Sequence, residues 1–213
     1  MKNRILALAL FTLATLSFAA FNATAQNYPT RAVRIVVGFA PGGATDVTAR
    51  ILAQELSKLW SQQVVVDNRP GASGAIAAEL VARAAPDGYM LLVSPQTSVV
   101  VAPILIKKLN YDPIKDFAAA GVVGSTPQLL VVLPTLPAKT FKEFMAFARA
   151  NADKLSYGSG GIGSTPHMAG ELLNLSLGVR VTHVPYKGEV PALTDVLGGQ
   201  LPYMFANIPV ALP

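Results

Sequence analysis

Three glycine-rich segments carry the residues best suited to binding chemistry. They are Pro41-Gly42-Gly43, Pro70-Gly71-Ala72-Ser73-Gly74 and the segment from Gly158 to Thr165. Each lies between a predicted strand and a predicted helix. Glycine lets the backbone approach a ligand closely, and a helix start presents unpaired N–H groups and a partial positive charge. One such segment is more typical of a tight turn, but three together predict a site for an anion.

Side chains suited to catalysis are few. The chain has two histidines, no cysteine and no Gly-x-Ser-x-Gly motif, so a nucleophilic triad would need unusual parts. His167 and His183 lack a spaced carboxylate and make a poor metal site. We therefore expect no catalytic residue, no metal and no cofactor. His167, in the first turn of a helix, is expected to line the cleft, whereas His183 is expected to be a strand residue whose hydrogen bonds are satisfied within the protein.

Two further features leave alternatives open. Gly158-x-Gly160-x-x-Gly163 matches the dinucleotide fingerprint, so a nucleotide-dependent enzyme that uses this loop is the alternative function. A dinucleotide site also needs an acidic residue about 20 positions further on, and the segment Thr182 to Tyr186 has none. Ser94, just after the third predicted strand, is a candidate hydroxyl donor.

The composition excludes several classes of protein. Of 213 residues, 52% are hydrophobic and 14% are charged, which excludes a disordered chain. The 17 Lys and Arg against 12 Asp and Glu give too mild and too scattered a positive charge for a nucleic-acid surface. Without cysteine no disulfide can form, so stability must come from a packed core.

The first 25 residues are typical of an export signal. Lys2 and Arg4 precede the uncharged run from Ile5 to Phe21, and Ala23-Thr24-Ala25 fits a cleavage site. An uncleaved membrane anchor is the alternative, although seventeen residues are at the short limit for a bilayer span. We expect a mature protein that begins at Gln26 and resides in the periplasm of a bacterium.

The elements that position the glycine segments alternate between strand and helix. This pattern predicts α/β architecture, with parallel sheets and helices on both faces. Asp46 is expected to cap the first helix, and the alternative is that it receives an ammonium group of the ligand. Thr140 with Glu143 fits a capping box. Residues 95–127 show few clear periods. Strands are predicted at 33–39, 64–66, 90–93, 129–133, 155–158, 181–185 and 201–206, and helices at 46–59, 75–85, 140–150, 165–177 and 191–197.

At these loops the sequence resembles the exported receptors of the tripartite tricarboxylate transporters, the Bug family. The matching stretches run in order along the chain, and the ordered set is specific although single motifs are not. They are Val37-Gly38-Phe39-Ala40-Pro41-Gly42-Gly43 with Asp46 and Ala49-Arg50, Asn68-Arg69-Pro70-Gly71-Ala72, Pro86-Asp87-Gly88-Tyr89, Tyr111-Asp112-Pro113, Lys115-Asp116-Phe117, Tyr157-Gly158-Ser159-Gly160, Gly163-Ser164-Thr165-Pro166-His167, Val184-Pro185-Tyr186-Lys187-Gly188 and Gly198-Gly199-Gln200.

The resemblance implies a periplasmic binding protein-like fold of type II, with two doubly wound lobes and a cleft between them. We assign residues 26–124 to the first lobe and 125–213 to the second. Members of this family continue well past this point, so we expect the second lobe and the return to the first to be incomplete, and the chain to be unstable or inactive as it stands.

The resemblance also implies a function without catalysis. Such a receptor, expected to be a monomer, closes over a small carboxylated solute and delivers it to membrane permease subunits. A sensor that reports its ligand state to a membrane kinase would have the same sequence features. The ligand's carboxylate would be held largely by backbone groups, hydroxyls and bridging waters. By position, the expected contacts are Phe39, Pro41, Gly42, Gly43, Ala44, Ser159, Gly160, Gly163, Ser164, Thr165, His167 and Tyr186, to which Ser94 is added as the hydroxyl donor.

Overall fold

A computed structural model describes residues 27–212. The predicted export signal, residues 1–25, lies outside the described residues. Arg31–Pro213 form one compact unit. Within the described part of the chain, no helix has both the length and the apolar character that a membrane span requires.

The first sheet contains three parallel strands, β1 (Val33–Val37), β2 (Val64–Asn68) and β3 (Met90–Val93), in the order β2-β1-β3. Helices α1 (Ala44–Trp60) and α2 (Ala75–Ala82) connect them. The parallel arrangement predicted from the alternation of strand and helix is confirmed for this sheet. Because all three strands run in the same direction, the loops that follow β1 and β2 emerge at one edge.

Helices cover both faces of the first sheet. Leu91 and Val93 of β3 pack in the cluster that contains Ala49 and Ala53 of α1. Leu92, between them, packs in the cluster with Ala75 and Ala78 of α2. Successive side chains of a strand point to opposite faces, so α1 and α2 lie on opposite sides of the sheet. The sheet is therefore buried on both sides, as its nearly continuous apolar strands require.

The second sheet differs from the purely parallel pattern. Its strands β5 (Ser156–Ser159), β6 (Thr182–Pro185) and β7 (Tyr203–Asn207) are parallel. The strand β4 (Gln128–Val132) pairs antiparallel with β7, with Gln128 opposite Asn207. Alternation along the chain cannot specify the direction of β4, because its only partner comes some 70 residues later. The order is β4-β7-β5-β6. The elements are β4 (Gln128–Val132), α4 (Phe141–Ala150), β5 (Ser156–Ser159), α5 (Thr165–Leu177), β6 (Thr182–Pro185), α6 (Glu189–Leu197) and β7 (Tyr203–Asn207).

Helix starts follow the sequence in one case and depart from it in another. The capping box predicted at α4 is confirmed, since Thr140 Oγ1 accepts from the Glu143 N–H at 3.2 Å and Glu143 Oε2 accepts from the Thr140 N–H at 3.2 Å. The prediction that Asp46 caps α1 is wrong. The helix begins at Ala44 after Gly43, and Asp46 in its first turn accepts from the Gly42 N–H instead.

The segment between the sheets holds more regular structure than its sequence indicates. A π-helical turn, Thr97–Val101, leads into the short helix α3 (Ala102–Leu105). The Tyr111 hydroxyl donates to the Ser98 carbonyl and fixes this turn against the chain that follows. A four-residue helix, α7 (Ile208–Ala211), comes after β7. The proposed lobe boundary at residue 124 falls between the last strand of the first sheet and the first strand of the second.

Candidate functional site

Loops at the carboxyl ends of four strands surround one cavity of about 250 Å³. Two of these loops follow β1 and β2 of the first sheet, and two follow β5 and β6 of the second. Open α/β sheets bind ligands at this edge. The structure therefore brings two of the three predicted glycine segments to a shared cavity. It is lined by Gly38, Phe39, Gly71, Ala72, Ser73, Gly160, Gly161, Ile162, Pro185, Tyr186 and Lys187.

Four backbone N–H groups that line this cavity have no partner. Among the described residues, no hydrogen bond uses the N–H of Ala72, Ser73, Gly160 or Ile162. Two come from the first sheet and two from the second. Gly160 is buried, and an unpaired buried amide costs free energy, whereas Ala72 and Ile162 are exposed to solvent. Residues with free donors thus line the cavity from both sheets, where an anionic oxygen could accept them.

Other amides of the glycine segments are already used within the protein. The Gly161 N–H donates to Ser159 Oγ at 3.0 Å, and the Gly163 N–H donates to His167 Nδ1 at 2.8 Å. The Gly42 N–H donates to Asp46 Oδ2 at 2.9 Å. The donors available to a ligand are consequently fewer than the glycine count indicates.

The loop after β2 has a strained backbone at the cavity. Ala72 and Ser73 both have left-handed backbone angles, with φ of 47° and 55°. Such angles cost non-glycine residues about 1 to 3 kcal/mol each and tend to occur at functional sites. Surrounding contacts hold the turn: Ser98 Oγ donates to the Ser73 carbonyl at 3.2 Å, and a Cβ on Gly38 would lie 2.4 Å from Gly74 Cα. The strain is thus balanced by close packing behind the loop.

Ser73 was absent from the sequence-based set of contacts. Its hydroxyl lines the cavity beside its free N–H. The signal that could have identified it is its position between Gly71 and Gly74 in a turn after a strand.

The predicted contacts of the first loop are only partly at the cavity. Phe39 lines it, whereas Pro41 and Gly42 are exposed and Gly43 and Ala44 are buried at the start of α1. The loop instead packs on the turn after β6, where the Ala40 N–H donates to the Lys187 carbonyl at 3.2 Å.

Ser94 also lies behind the cavity. Its hydroxyl is 2.8 Å from the Pro95 carbonyl and 2.8 Å from Ser98 Oγ. Because Ser98 in turn donates to the Ser73 carbonyl, Ser94 supports the strained turn and does not face the cavity.

Of the predicted contacts in the second sheet, Gly160 and Tyr186 line the cavity. The Tyr186 hydroxyl donates to Asp195, and burial together with this carboxylate raises the pKa of Tyr186 to about 12. The ring is therefore neutral and held in place. Ser164 caps α5 by accepting from the His167 N–H at 3.4 Å. Ser159, Gly163, Ser164, Thr165 and His167 are not among the lining residues.

The two histidines meet in space. Their rings stack with centroids 4.0 Å apart, next to Tyr157. The expectation that His167 lines the cleft is not met, because its Nδ1 is occupied by the Gly163 N–H. The expectation that His183 is a satisfied strand residue is confirmed, since it lies on β6 and its Nε2 is 2.6 Å from Ser159 Oγ. Within residues 27–212, no group of three acidic, histidine or cysteine side chains is arranged to hold a metal ion.

Ser159 and His183 are as close as a nucleophile and its base. Ser159 is 0% exposed, however, and its hydroxyl is also 3.1 Å from the Gly161 carbonyl while it accepts from the Gly161 N–H. All of these contacts lie within the loop. This pair therefore shapes the backbone and does not present a nucleophile to the cavity.

Charge is sparse at the cavity. Lys187 is the only charged residue among those that line it. Glu189 lies next to Gly160 and accepts from the N–H and the side-chain amide of Asn207, at 2.9 and 2.6 Å. Burial raises the pKa of Glu189, and the bonds from Asn207 oppose this rise. A site with backbone donors, one cation and an apolar wall of Phe39 and Ile162 suits a small organic anion.

The two α/β sheets, with a cavity at the carboxyl ends of strands from both, define a fold of the periplasmic binding protein type. The family described as tripartite tricarboxylate transporter family receptor matches residues 48–213, and the chain belongs to that family. The fold inferred from the resemblance is confirmed, since solved structures that match this chain include proteins described as a periplasmic transporter and a periplasmic binding protein.

Individual relatives agree with this assignment. The chain is 36% identical over 211 residues to the protein BugT of Bordetella pertussis. The alignment covers 99% of this chain and 64% of BugT. Two solved structures from Rhodopseudomonas palustris are each 38% identical to this chain. MatC with bound malate matches with a TM-score of 0.81 over 87% of this chain and 63% of MatC. Rpa4515 with adipate matches with a TM-score of 0.82 over 87% of this chain and 62% of Rpa4515. The chain spans 51% and 58% of the length of two other curated relatives.

Proposed function

We propose that this chain is the ligand-binding part of a periplasmic receptor that captures a small dicarboxylate for a tripartite tricarboxylate-type permease. It binds as a monomer and performs no chemistry on the ligand. The observation that carries this proposal is the convergence of the free N–H groups of Ala72, Ser73, Gly160 and Ile162 on one cavity. Both malate and adipate, bound by relatives, are dicarboxylates.

The hydrogen bonds from the four free amides can supply a free energy comparable with that of a micromolar complex. A hydrogen bond to a charged group contributes about 1.5 to 3 kcal/mol, so four amides supply roughly 6 to 12 kcal/mol before the costs of association. A micromolar complex needs about 8 kcal/mol. Backbone donors and one exposed lysine therefore supply free energy of this order without a buried arginine, while apolar contacts with Phe39 and Ile162 help to offset the cost of association.

The division of the site also supports a closing mechanism. Two donors belong to the loop after β2 and two to the loop after β5, in different sheets. A ligand that accepts hydrogen bonds from both pairs has a higher affinity for the arrangement in which the two sheets are close together. Its affinity for a more open arrangement is lower. Differential affinity of this kind shifts an open and closed equilibrium towards the closed state. That state is the one delivered to the permease.

The direct test is calorimetric titration of the purified chain with malate and with adipate. We expect binding of at least one of them, and no binding of dimethyl adipate, which has the same carbon chain without charge. Ile162→Pro removes one of the four donors, whereas Ile162→Val keeps it at the same exposed position. We expect the proline variant to bind at least about tenfold more weakly than the valine variant. Equal binding of the diester, or equal affinity of the two variants, would contradict the proposal.

A further inference from the structure

The two histidines hold both ends of the loop from Gly158 to Ser164. His167 Nδ1 accepts from the Gly163 N–H at 2.8 Å, at the end that leads into α5. His183 Nε2 lies 2.6 Å from Ser159 Oγ, at the end that leaves β5. Neither histidine lines the cavity. They act on the site only through the loop.

The anchored groups flank the free donors. Ser159 Oγ accepts from the Gly161 N–H at 3.0 Å, so His183 fixes Gly161 through the serine. Gly160 and Ile162, whose free amides face the cavity, are the neighbours of Gly161. The direction of both amides is therefore set by the contacts that the histidines make.

We propose that His167 and His183 are positioning residues for the anion-binding loop, and that His167 holds its end of the loop only while it is neutral, so that ligand binding weakens on acidification. This proposal rests on the proposed function, because it assumes that the loop binds the ligand.

The chemistry of the imidazole ring requires the neutral form. Nδ1 of His167 can accept from Gly163 only when it has no proton, which places the hydrogen on Nε2. A second proton turns that acceptor into a donor that faces another donor. In addition, two imidazolium rings with centroids 4.0 Å apart repel each other.

The titratable groups around the two histidines do not remove this requirement for a neutral ring. Glu171 on α5 lies 3.9 Å from His167 Nε2 and favours its charged form, but this carboxylate is also engaged by the Tyr157 hydroxyl at 2.6 Å. Tyr157 on β5 and Tyr203 on β7 are both neutral, because burial raises the pKa of each hydroxyl. Ser159 carries no charge. Glu171 is therefore the only charged group facing the histidines among these neighbours.

Burial keeps both rings neutral at ordinary pH. It lowers the pKa of His167 below 6.5, although Glu171 opposes this effect. Burial and the neighbouring His167 lower the pKa of His183 to about 4. Above pH 6.5 the loop is intact, and it is released as the pH falls below the pKa of His167.

A crossed pair of substitutions tests which ring nitrogen matters. The amide of asparagine occupies the place of Nδ1, and that of glutamine the place of Nε2. His167→Asn should therefore keep the acceptor for Gly163 without titrating, while His167→Gln loses it. At position 183 the order reverses, because there Nε2 makes the contact: His183→Gln keeps it and His183→Asn loses it.

The first readout is amide hydrogen exchange of Gly161 and Gly163 by NMR, without ligand. We expect at least tenfold faster exchange of Gly163 in His167→Gln, and of Gly161 in His183→Asn, with near wild-type protection in the two conservative variants. In the wild type, protection of Gly163 should fall as the pH is lowered from 7 through the pKa of His167, and in His167→Asn it should not. Protection that is equal in all four variants, or that is independent of pH in the wild type, overturns the proposal.

The second readout is the Kd for malate and adipate from pH 8 to pH 5. We expect wild-type affinity to fall more steeply over this range than that of His167→Asn, whose smaller fall reflects protonation of the ligand's own carboxylates. Parallel falls in both proteins would overturn the proposed link. If the wild type binds neither acid, the proposed function fails, and the exchange data still decide whether the histidines position the loop. Circular dichroism of each variant, with Leu172→Ala on the exposed face of α5 as control, separates loop release from unfolding.

Discussion

Asp46 and Asn68 tie the first two glycine loops together through a 2.9 Å hydrogen bond from Asn68 Nδ2 to Asp46 Oδ1. The same amide donates to the Phe39 carbonyl at 3.1 Å. The other oxygen of Asp46 accepts from the Gly42 N–H and from Arg50 Nε at 2.9 and 2.8 Å. Asp46 is 2% exposed, and its donors come from the protein itself. Its role is therefore to hold the loops and not to receive a ligand ammonium group.

Replacing this carboxylate should loosen the first sheet. Asp46→Asn keeps the size of the side chain but loses its charge. It also replaces one acceptor oxygen by an NH2 group, which then faces a donor. We expect a loss of about 1.5 to 3 kcal/mol in the free energy of unfolding, measured by urea denaturation at pH 7. Asp153→Asn, at an exposed position, is the control and should change stability by less than about 0.5 kcal/mol. Equal effects of the two substitutions would show that the loops do not depend on Asp46.

Asp46 also predicts a stability change in acid. Burial raises its pKa, but the bonds from Arg50, Gly42 and Asn68 and the charge of Arg50 outweigh this effect and leave the pKa below its usual 3.8. Its stabilisation is thus complete above pH 3.8 and disappears as the pH falls through the lower value of the folded state. Urea midpoints of wild type and Asp46→Asn should converge below pH 3. A constant difference down to pH 2 would contradict this assignment.

The histidines predict a second pH effect, at higher pH. Their pKa values are lower in the folded state than the usual 6.5, and about 4 for His183. The unfolded chain then binds more protons in this window, so the free energy of unfolding decreases as the pH is lowered, by at most about 1.4 kcal/mol per pH unit for each group. Because the pKa of Glu189 is raised in the folded state, its contribution to stability has the opposite sign and is lost as the pH rises through that raised value. In the double variant His167→Asn, His183→Gln, the free energy of unfolding from urea denaturation should change less with pH between pH 6.5 and pH 4.5 than in the wild type. The same pH dependence in both proteins would refute the prediction.

Gly161 should be sensitive for binding as well as for stability. Its φ is 127°, which disfavours any side chain, and an added Cβ would lie 3.2 Å from the Tyr186 carbonyl beside the cavity. Gly178 has φ of 67° with open space around it, at the end of α5. We expect both alanine variants to lose about 1 kcal/mol or more of stability, but only Gly161→Ala to weaken adipate binding, by about tenfold. Calorimetry that shows similar Kd values for the two variants would contradict this expectation.

Lys187 should distinguish dicarboxylates from monocarboxylates. An exposed ion pair contributes about 0.2 to 1 kcal/mol, so Lys187→Gln should weaken adipate binding by about two- to fivefold and reduce its salt dependence. Hexanoate, with the same carbon number and one carboxylate, should be unaffected. Lys142→Gln, an exposed lysine on α4, is the control. An equal loss for both ligands would mean that Lys187 recognises charge in general and not the second carboxylate.

Much of the fold could be predicted from local patterns. The apolar run at Val33 and the stripe of α1 are short-range signals, and so is the capping box of Thr140 and Glu143, because each depends on neighbours along the chain. The antiparallel β4 could not be predicted in this way. Its direction depends on pairing with β7, and no local periodicity encodes such a partner.

The same division applies to the site. Residue types alone indicated an anion site built from glycine segments, since glycine favours tight turns and lets the backbone approach a ligand closely. Which amides remain free was decided by tertiary contacts: His167 takes the Gly163 N–H and Asp46 takes the Gly42 N–H, while those of Ser73 and Gly160 stay unpaired at the cavity. A hydrogen bond forms only where a donor and an acceptor meet in space. The spacing of residues along the chain therefore determined the kind of site, and the packing of the two sheets decided which atoms form it.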